Sequence, residues 1–344
     1  MWFILFLAIG SLTIQAELVD HLQSTYDKPT LIVYCVHASF IFVLFGEYYR
    51  YLKRNGIAMK YYGIMSWANV SSYFLTSTQL IGKPFPHVLF MSFLLVSLYN
   101  VSTWFWYLAI DFTSTNELTA IFNTGTCFAY IFSIIFVNEP MVLRKWFGVL
   151  LCMLGICLIA LVGYSGGESA DSHLYGNFLG LVGAILYGLY DTLYFKYAVP
   201  AVPNAQFSYF FTGLMGISSL FTFWVPVAIN NISGKEPLVV PTDYELFILV
   251  LVIGFGVLFD TLFFQLISMT SPTIAAAGIL LSIPSVLICD LVLLKTVLTW
   301  NMVFGSAVLC LGFYILHMEE FHVTTEYQEL ELEPVPIYPL RHAS

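Results

Sequence analysis

The chain is written in long apolar runs separated by short polar punctuation. Ten runs approach or exceed the roughly 20 residues that an α-helix needs to cross the hydrocarbon core of a bilayer. They fall at about 2–19, 31–52, 88–110, 115–137, 143–164, 175–199, 207–230, 245–269, 273–294 and 299–318. Most connections are short, and only 53–87 and 231–244 are long. The pattern predicts an all-α multipass membrane protein with ten transmembrane helices. Segment 61–80, bracketed by Lys60 and Lys83, is too polar for a span and reads as an interfacial or cytosolic loop element. The first run lacks the basic stretch that opens a signal peptide, so a retained helix is expected. It is short for a span, and a truncated start is the other reading.

The punctuation repeats. When residues 107–156 are slid onto 264–313 without gaps, Thr113-Ser114 falls on Thr270-Ser271, Phe147-Gly148 on Phe304-Gly305, and Leu154-Gly155 on Leu311-Gly312. Glycines seven apart share a helix face and let neighbouring backbones approach; ordinary packing in lipid is their plain reading. A true repeat divides the chain into five spans over 1–164 and five over 165–318. An odd number per half makes the halves cross the membrane in opposite senses, a common build of secondary transporters. The polar hinges Thr113-Ser114 and Thr270-Ser271-Pro272 then sit on opposite sides.

Composition confirms the solvent. Of 344 residues 59% are hydrophobic and 10% charged, with a mean hydropathy of +0.84, where soluble domains carry about 25% charged residues. A water-soluble fold has no place for so much apolar surface. The net charge of -9 is concentrated at the end of the chain, where Glu319, Glu320, Glu326, Glu329, Glu331 and Glu333 lie near Pro334, Pro336 and Pro339. Residues 319–344 read as a disordered acidic tail. Placing the N-terminus in the cytosol puts Arg50, Lys53, Arg54, Lys60, Lys83, Arg144, Lys145, Lys196 and Arg341 inside and only Lys28, Lys235 and Lys295 outside. That bias predicts cytosolic termini. Asn231-Ile232-Ser233 is then a lumenal glycosylation sequon close to a helix end. The six cysteines lie in apolar runs without a CxxC pair and read as small buried hydrophobes. No phosphate loop, metal cluster or nucleophile–base pattern is visible, so neither an enzyme, a cofactor nor a nucleic-acid partner is expected. The expected partners are the bilayer and a small solute, and a homodimer is compatible with the pattern.

Charges inside the spans are the candidate chemistry, because a charged side chain at the bilayer centre costs about 2.5–3.5 kcal/mol on insertion scales and needs a cavity or a partner. Asp260 lies mid-span. It either lines a cavity, contacting a cationic or hydroxyl-rich solute or taking a proton, or makes a neutral interhelical hydrogen bond. Asp290 precedes Lys295 by five residues and Asp191 precedes Lys196 by five, so snorkelling to the interface is the plainer reading of both. Glu117 lies near a helix end. Tyr187, Tyr190 and Tyr194 form a stripe at helical spacing, which reads as packing before cargo recognition. Pro284 removes a backbone donor inside its helix and should kink it; such breaks border transporter sites.

Three passages carry a resemblance to a known family. They are Asp27-Lys28-Pro29 before the second span, the helix from Gly176 to Lys196, and the series Asp260, Pro272, Gly278, Leu281-Ser282-Ile283-Pro284 and Asp290. The chain resembles the drug/metabolite transporter superfamily, solute-carrier 35 type, and within it the F branch and fungal vacuolar-membrane proteins. The resemblance implies two inverted five-helix repeats, alternating access, and residence in the vacuole or Golgi. The cargo of the superfamily includes nucleotide sugars and vitamins such as thiamine. The scarcity of basic groups in the spans favours a thiamine-like cation or other metabolite over a nucleotide sugar. The alternative is a transporter-like receptor or scaffold that signals through the acidic tail.

Overall fold

The computed structural model describes residues 2–56, 67–79, 82–110, 112–113, 118, 121–160, 170–200, 205–289, 291–292 and 300–332. Among them the regular structure is helical throughout. The first half comprises α1 (Trp2–Gln23), α2 (Pro29–Ser39), α3 (Ile41–Arg54), α4 (Trp67–Gln79), α5 (Phe85–Ile110), α6 (Gly125–Phe132), which runs into a π-turn over Ser133–Val137, and α7 (Leu143–Ala160). The second comprises α8 (Ala170–Tyr197), α9 (Ala205–Thr222), α10 (Trp224–Ile232), α11 (Asp243–Met269), α12 (Pro272–Ile279), α13 (Ser282–Cys289) and α14 (Trp300–Leu332).

Seven helices among the described residues are long and apolar enough to cross a membrane: Trp2–Gln23, Pro29–Arg54, Phe85–Trp106, Leu174–Tyr197, Ala205–Ile232, Asp243–Met269 and Trp300–Met318. Ile121–Val137 and Pro272–Ile288 are shorter apolar helices. These helices wear their hydrophobic side chains outward. Phe3, Phe6, Phe42, Phe90, Phe147, Phe178, Phe247 and Phe304 are all exposed, as expected of a surface solvated by lipid. The 61–80 segment contributes α4, which is absent from the candidate spans and buries Tyr73 against Tyr48, Tyr51 and Phe210.

Local chemistry fixes the breaks and ends. Lys28 precedes Pro29, the first residue of α2, where a missing backbone donor costs nothing. Thr242 and Glu245 form a reciprocal capping box at the start of α11. Pro284 acts as expected of a proline: the helix divides between α12 and α13 four residues earlier, at Leu280–Leu281. The Leu280 carbonyl, denied its donor, accepts from Ile283 N at 3.1 Å instead.

Packing joins sequence-distant helices. α14 lies along α7, α8 against α5, α1 against α11, and α9 against α2 and α3. The α7–α14 crossing is a close one on both helices. A Cβ on Gly155 would stand 2.7 Å from the Gly305 carbonyl oxygen, and one on Gly305 would stand 2.7 Å from that of Gly155. A Cβ on Gly312 would meet the Gly148 oxygen at 2.8 Å. The glycines that punctuate the sequence at matching offsets therefore pack directly on one another.

Three expectations need revision. α14 continues to Leu332, so the acidic stretch of 319–332 is helical and not disordered. Its Glu, Gln and Leu residues are good helix formers, uninterrupted until Pro334. Lys145, read as a loop charge, is 2% exposed and pairs with Glu139 at 2.7 Å. Of the cysteines, Cys152 is buried, but Cys157 and Cys310 are exposed, because they lie on the outer faces of α7 and α14. Asp290, Lys295, Glu117 and Ser114 lie outside the described residues.

Candidate functional site

A cavity of about 220 Å³ lies among α1, α2, α5 and α11. It reaches from mid-helix, where Gln15, His37, Tyr99 and Asp260 converge, to Gln23 and Pro29 beside the α1–α2 turn. Asp260 is 5% exposed and stands in the wall beside Phe259, with Thr103 of α5 in the same lining. Gly256, one turn before Asp260, has no side chain for a local reason: a Cβ there would lie 2.7 Å from Gln15 Nε2. The glycine admits the amide to the cavity level.

The cavity is lined by aromatic faces as well as polar groups. The His37 ring lies 4.9 Å from that of Tyr99, and Tyr99 lies 5.0 Å from Tyr190 and 6.0 Å from Tyr187. Asn100, beside Tyr99 in sequence, donates to Thr222 Oγ1 at 2.8 Å. The Nδ1 of His37 has no hydrogen-bond partner. One carboxylate, one amide and two flat rings form a set that can hold a compact organic cation, through charge on one side and ring faces on others.

Beyond the cavity, towards the opposite end of the bundle, rings fill the interior, and past them a second cavity of about 280 Å³ is lined by Glu47, Arg54 and Tyr73. Tyr190, Tyr194, Phe207, Phe210, Phe211 and Phe264 are fully buried and in ring contact, with Tyr194–Phe264 at 5.1 Å and Tyr194–Phe211 at 5.3 Å. Past these rings, Glu47 is 3% exposed and bonded to Arg54, with Arg50 at 3.4 Å. The end near the α1–α2 turn is tied differently. The Glu236 carboxylate accepts from Thr30 N and Thr30 Oγ1, the latter at 2.6 Å, and Tyr26 donates to the Val239 carbonyl at 2.6 Å.

Of the sequence candidates, the cavity wall contains Asp260 alone. Thr270 caps its own helix, donating to the Leu266 carbonyl at 2.8 Å, and Ser271 accepts from Ile274 N at the start of α12, with Pro272 at its first position. Thr113 instead bonds across to Asn177 of α8 at 2.7 Å. The repeat-related hinges are thus built differently. Asn231 is exposed and its Oδ1 accepts from Leu238 N at 2.9 Å. Tyr190 and Tyr194 pack as expected; Tyr187 is half-buried beside Tyr99 and Phe122.

Asp191 is a correction. It is 0% exposed, and both its oxygens lack a hydrogen-bond partner. Lys196 points elsewhere, over the rings of Tyr197 at 5.4 Å and Phe136 at 5.8 Å. Five residues turn a helix by about 500°, which leaves the two side chains some 140° apart, so no shared snorkelling is available to them.

Gln15, His37, Tyr99 and Thr103 were not legible as site residues. Gln15, His37 and Tyr99 carried a weak signal, each being polar or amphipathic in the middle of an apolar run. Thr103 carried a stronger one, since the repeat offset of 157 residues takes it onto Asp260.

Residues 29–161 match the EamA-like transporter family. An uncharacterized transporter of Schizosaccharomyces pombe is 24% identical over 327 residues, covering 93% of this chain and 95% of that protein. An uncharacterized vacuolar membrane protein of Saccharomyces cerevisiae is 24% identical, covering 65% of this chain and 62% of that protein. Solute carrier family 35 member F5 of Macaca fascicularis is 25% identical, covering 60% of this chain but only 48% of its own length. A solved crystal structure shares the fold with a TM-score of 0.62 at 13% identity, covering 93% of this chain and 97% of that one. Over residues 29–161 this multi-pass membrane protein is therefore similar to the EamA-like transporters, and the relatives that match more of its length are likewise membrane proteins.

Proposed function

We propose that the protein is a secondary transporter or exchanger of a small organic solute, working by alternating access across an endomembrane, and that the solute is a thiamine-like cation. The observation that carries this reading is the mid-helix cavity, where Asp260 faces His37, Tyr99 and Gln15. A buried carboxylate among ring faces favours a cation and disfavours the phosphates of a nucleotide sugar. The vacuolar membrane relative supports the endomembrane location.

Alternating access by two inverted five-helix halves draws support from the packing. The 157-residue offset carries Gly148 to Gly305 and Gly155 to Gly312. It also turns the Gly148–Gly312 approach into the Gly305–Gly155 approach. A contact that maps onto itself in this way is what a two-fold axis between halves produces. The α1–α11 and α5–α8 pairings correspond in the same way, α11 falling on α5 and the end of α1 on the start of α8. With the termini in the cytosol, the cavity faces the lumen, and the rings around Tyr194 close the cytosolic side.

The test is uptake of labelled thiamine into liposomes carrying the purified protein. Saturable uptake, competed by unlabelled thiamine and lost in Asp260→Asn, is the expected result. Unsaturable uptake equal to that of empty liposomes, or full activity in Asp260→Asn, would overturn the reading.

A further inference from the structure

We propose that Asp191 is a proton-binding site, separate from the solute cavity, which carries one proton through the occluded state and exchanges it with water when the two halves rearrange. The coupling half of this proposal rests on the transport reading above.

Asp191 sits where an ionised carboxylate has nothing to balance it. Both oxygens are buried and unpartnered, and the buried or half-buried ion pairs of the described residues are made by Glu47 and Glu139, not by Asp191. An isolated charge in such a place costs far more than a neutral acid does. The neighbours on α8 offer no relief. Tyr190 directs its hydroxyl to Met215 Sδ at 3.8 Å, and Thr192 gives its hydroxyl to the Ala129 and Gly188 carbonyls at 3.2 and 3.0 Å.

The ligand chemistry follows from what is missing. A metal cation needs several oxygen or nitrogen ligands, and no group of three His, Cys, Asp or Glu side chains is found among the described residues. A proton needs only the carboxylate. Water supplies it: an O–H bond forms on one Asp191 oxygen and cancels the negative charge. The reverse step returns the proton to water, with no oxidation or reduction.

The path between this site and the cavity is a line of rings. Tyr187 lies four residues before Asp191 on α8, and Tyr99, in the cavity wall with Asp260, touches Tyr187 and Tyr190. The helices packed against α8 bring other titratable groups near it. These are Tyr99 and His87 on α5, Cys127 and Tyr130 on α6, and Asp260 on α11; α12 has none. Tyr130 is committed to the backbone at Val142. Among the described residues that these helices bring near Asp191, Asp260 is thus the only carboxyl group, and it faces the cavity. The two aspartates divide the labour, Asp260 meeting the solute and Asp191 the proton.

The experiment uses the full chain in lipid, as wild type, Asp191→Asn and Asp260→Asn. Asparagine copies the shape of the neutral acid, so the fold should survive, and thermal unfolding checks that it does. Infrared spectra at neutral pH should show a protonated-carboxyl stretch that shifts slowly in heavy water. It should be missing from Asp191→Asn and present in Asp260→Asn. With thiamine as the probe, Asp191→Asn should retain thiamine counterflow but lose accumulation driven by a pH gradient. A stretch unchanged in Asp191→Asn overturns the proton site, and pH-driven accumulation surviving in that variant overturns its coupling. If wild-type protein moves no thiamine while the stretch still vanishes in Asp191→Asn, the solute reading fails and the bound proton stands.

Discussion

At the scale of single residues, the interior sorts its charges by what surrounds them. Glu47 is buried and Glu139 half-buried beside cations, whereas Asp260 stands at a cavity and Asp191 stands alone. The first two are structural pairs, and removing one partner of such a pair costs about 3–5 kcal/mol. Lys145→Met should therefore lower the thermal unfolding temperature sharply, and Lys145→Met combined with Glu139→Leu should restore much of it. If the double variant is no more stable than the single one, the pair is not what holds the α6–α7 connection. Asp260 predicts differently: Asp260→Asn should leave unfolding nearly unchanged and abolish thiamine uptake. Asp260 was legible in the sequence because a charge in an apolar run stands out. His37 and Tyr99 were not, since one histidine or tyrosine in a span looks like interface or core until packing shows what it faces. Asp191 was visible as a charge, but its isolation was not. Only the angle between it and Lys196, and the neighbours brought by other helices, reveal it.

At the scale of elements, the apolar pattern carried most of the information. For seven of the ten runs the lengths placed the spans to within a few residues, because the bilayer fixes how long an apolar helix must be. The pattern missed the interruptions at Phe40 and Phe223, where α2 gives way to α3 and α9 to α10. Phe40 has no proline or glycine beside it, but the second break was announced by Pro226, which denies a donor to the Thr222 carbonyl four residues back. The break before Pro284 was announced, and it is testable. Pro284→Ala supplies a donor for the Leu280 carbonyl and should let α12 and α13 join. The expected outcome is slower thiamine counterflow with unchanged thiamine affinity; equal rates would show that the break plays no part in the cycle. The α11 cap is a second test. Thr242→Ala removes the capping box and should cost about 1 kcal/mol, measurable as a modest fall in unfolding temperature without loss of uptake.

At the scale of the whole molecule, the two ends of the bundle are closed by different chemistry. One end, beside the cavity mouth, is held by Glu236 on Thr30 and by Tyr26 on Val239. The other is filled by edge-on and tilted rings, and beyond them Glu47 and Arg54 pair in the wall of a second cavity of about 280 Å³. Orientation follows from loop charge alone, so it predicts an outcome: protease added to sealed vesicles with their cytosolic face outward should remove the acidic tail. Protection of the tail would invert the assignment of cavity and seal. Between the ends, the glycine crossing of α7 and α14 has a mechanical consequence. Interlocked side chains must unmesh before two helices can tilt, but here backbone rests largely on backbone, and only a few side chains, Ile159, Leu309 and Leu316 among them, reach over the glycines. The crossing should behave as a fulcrum, staying in place while the outer helices swing. Cys157 and Cys310, exposed on these two helices, are natural positions for spin labels. Their separation should hold constant when thiamine is added, while labels across the cavity mouth move. A changing Cys157–Cys310 distance would locate the pivot elsewhere.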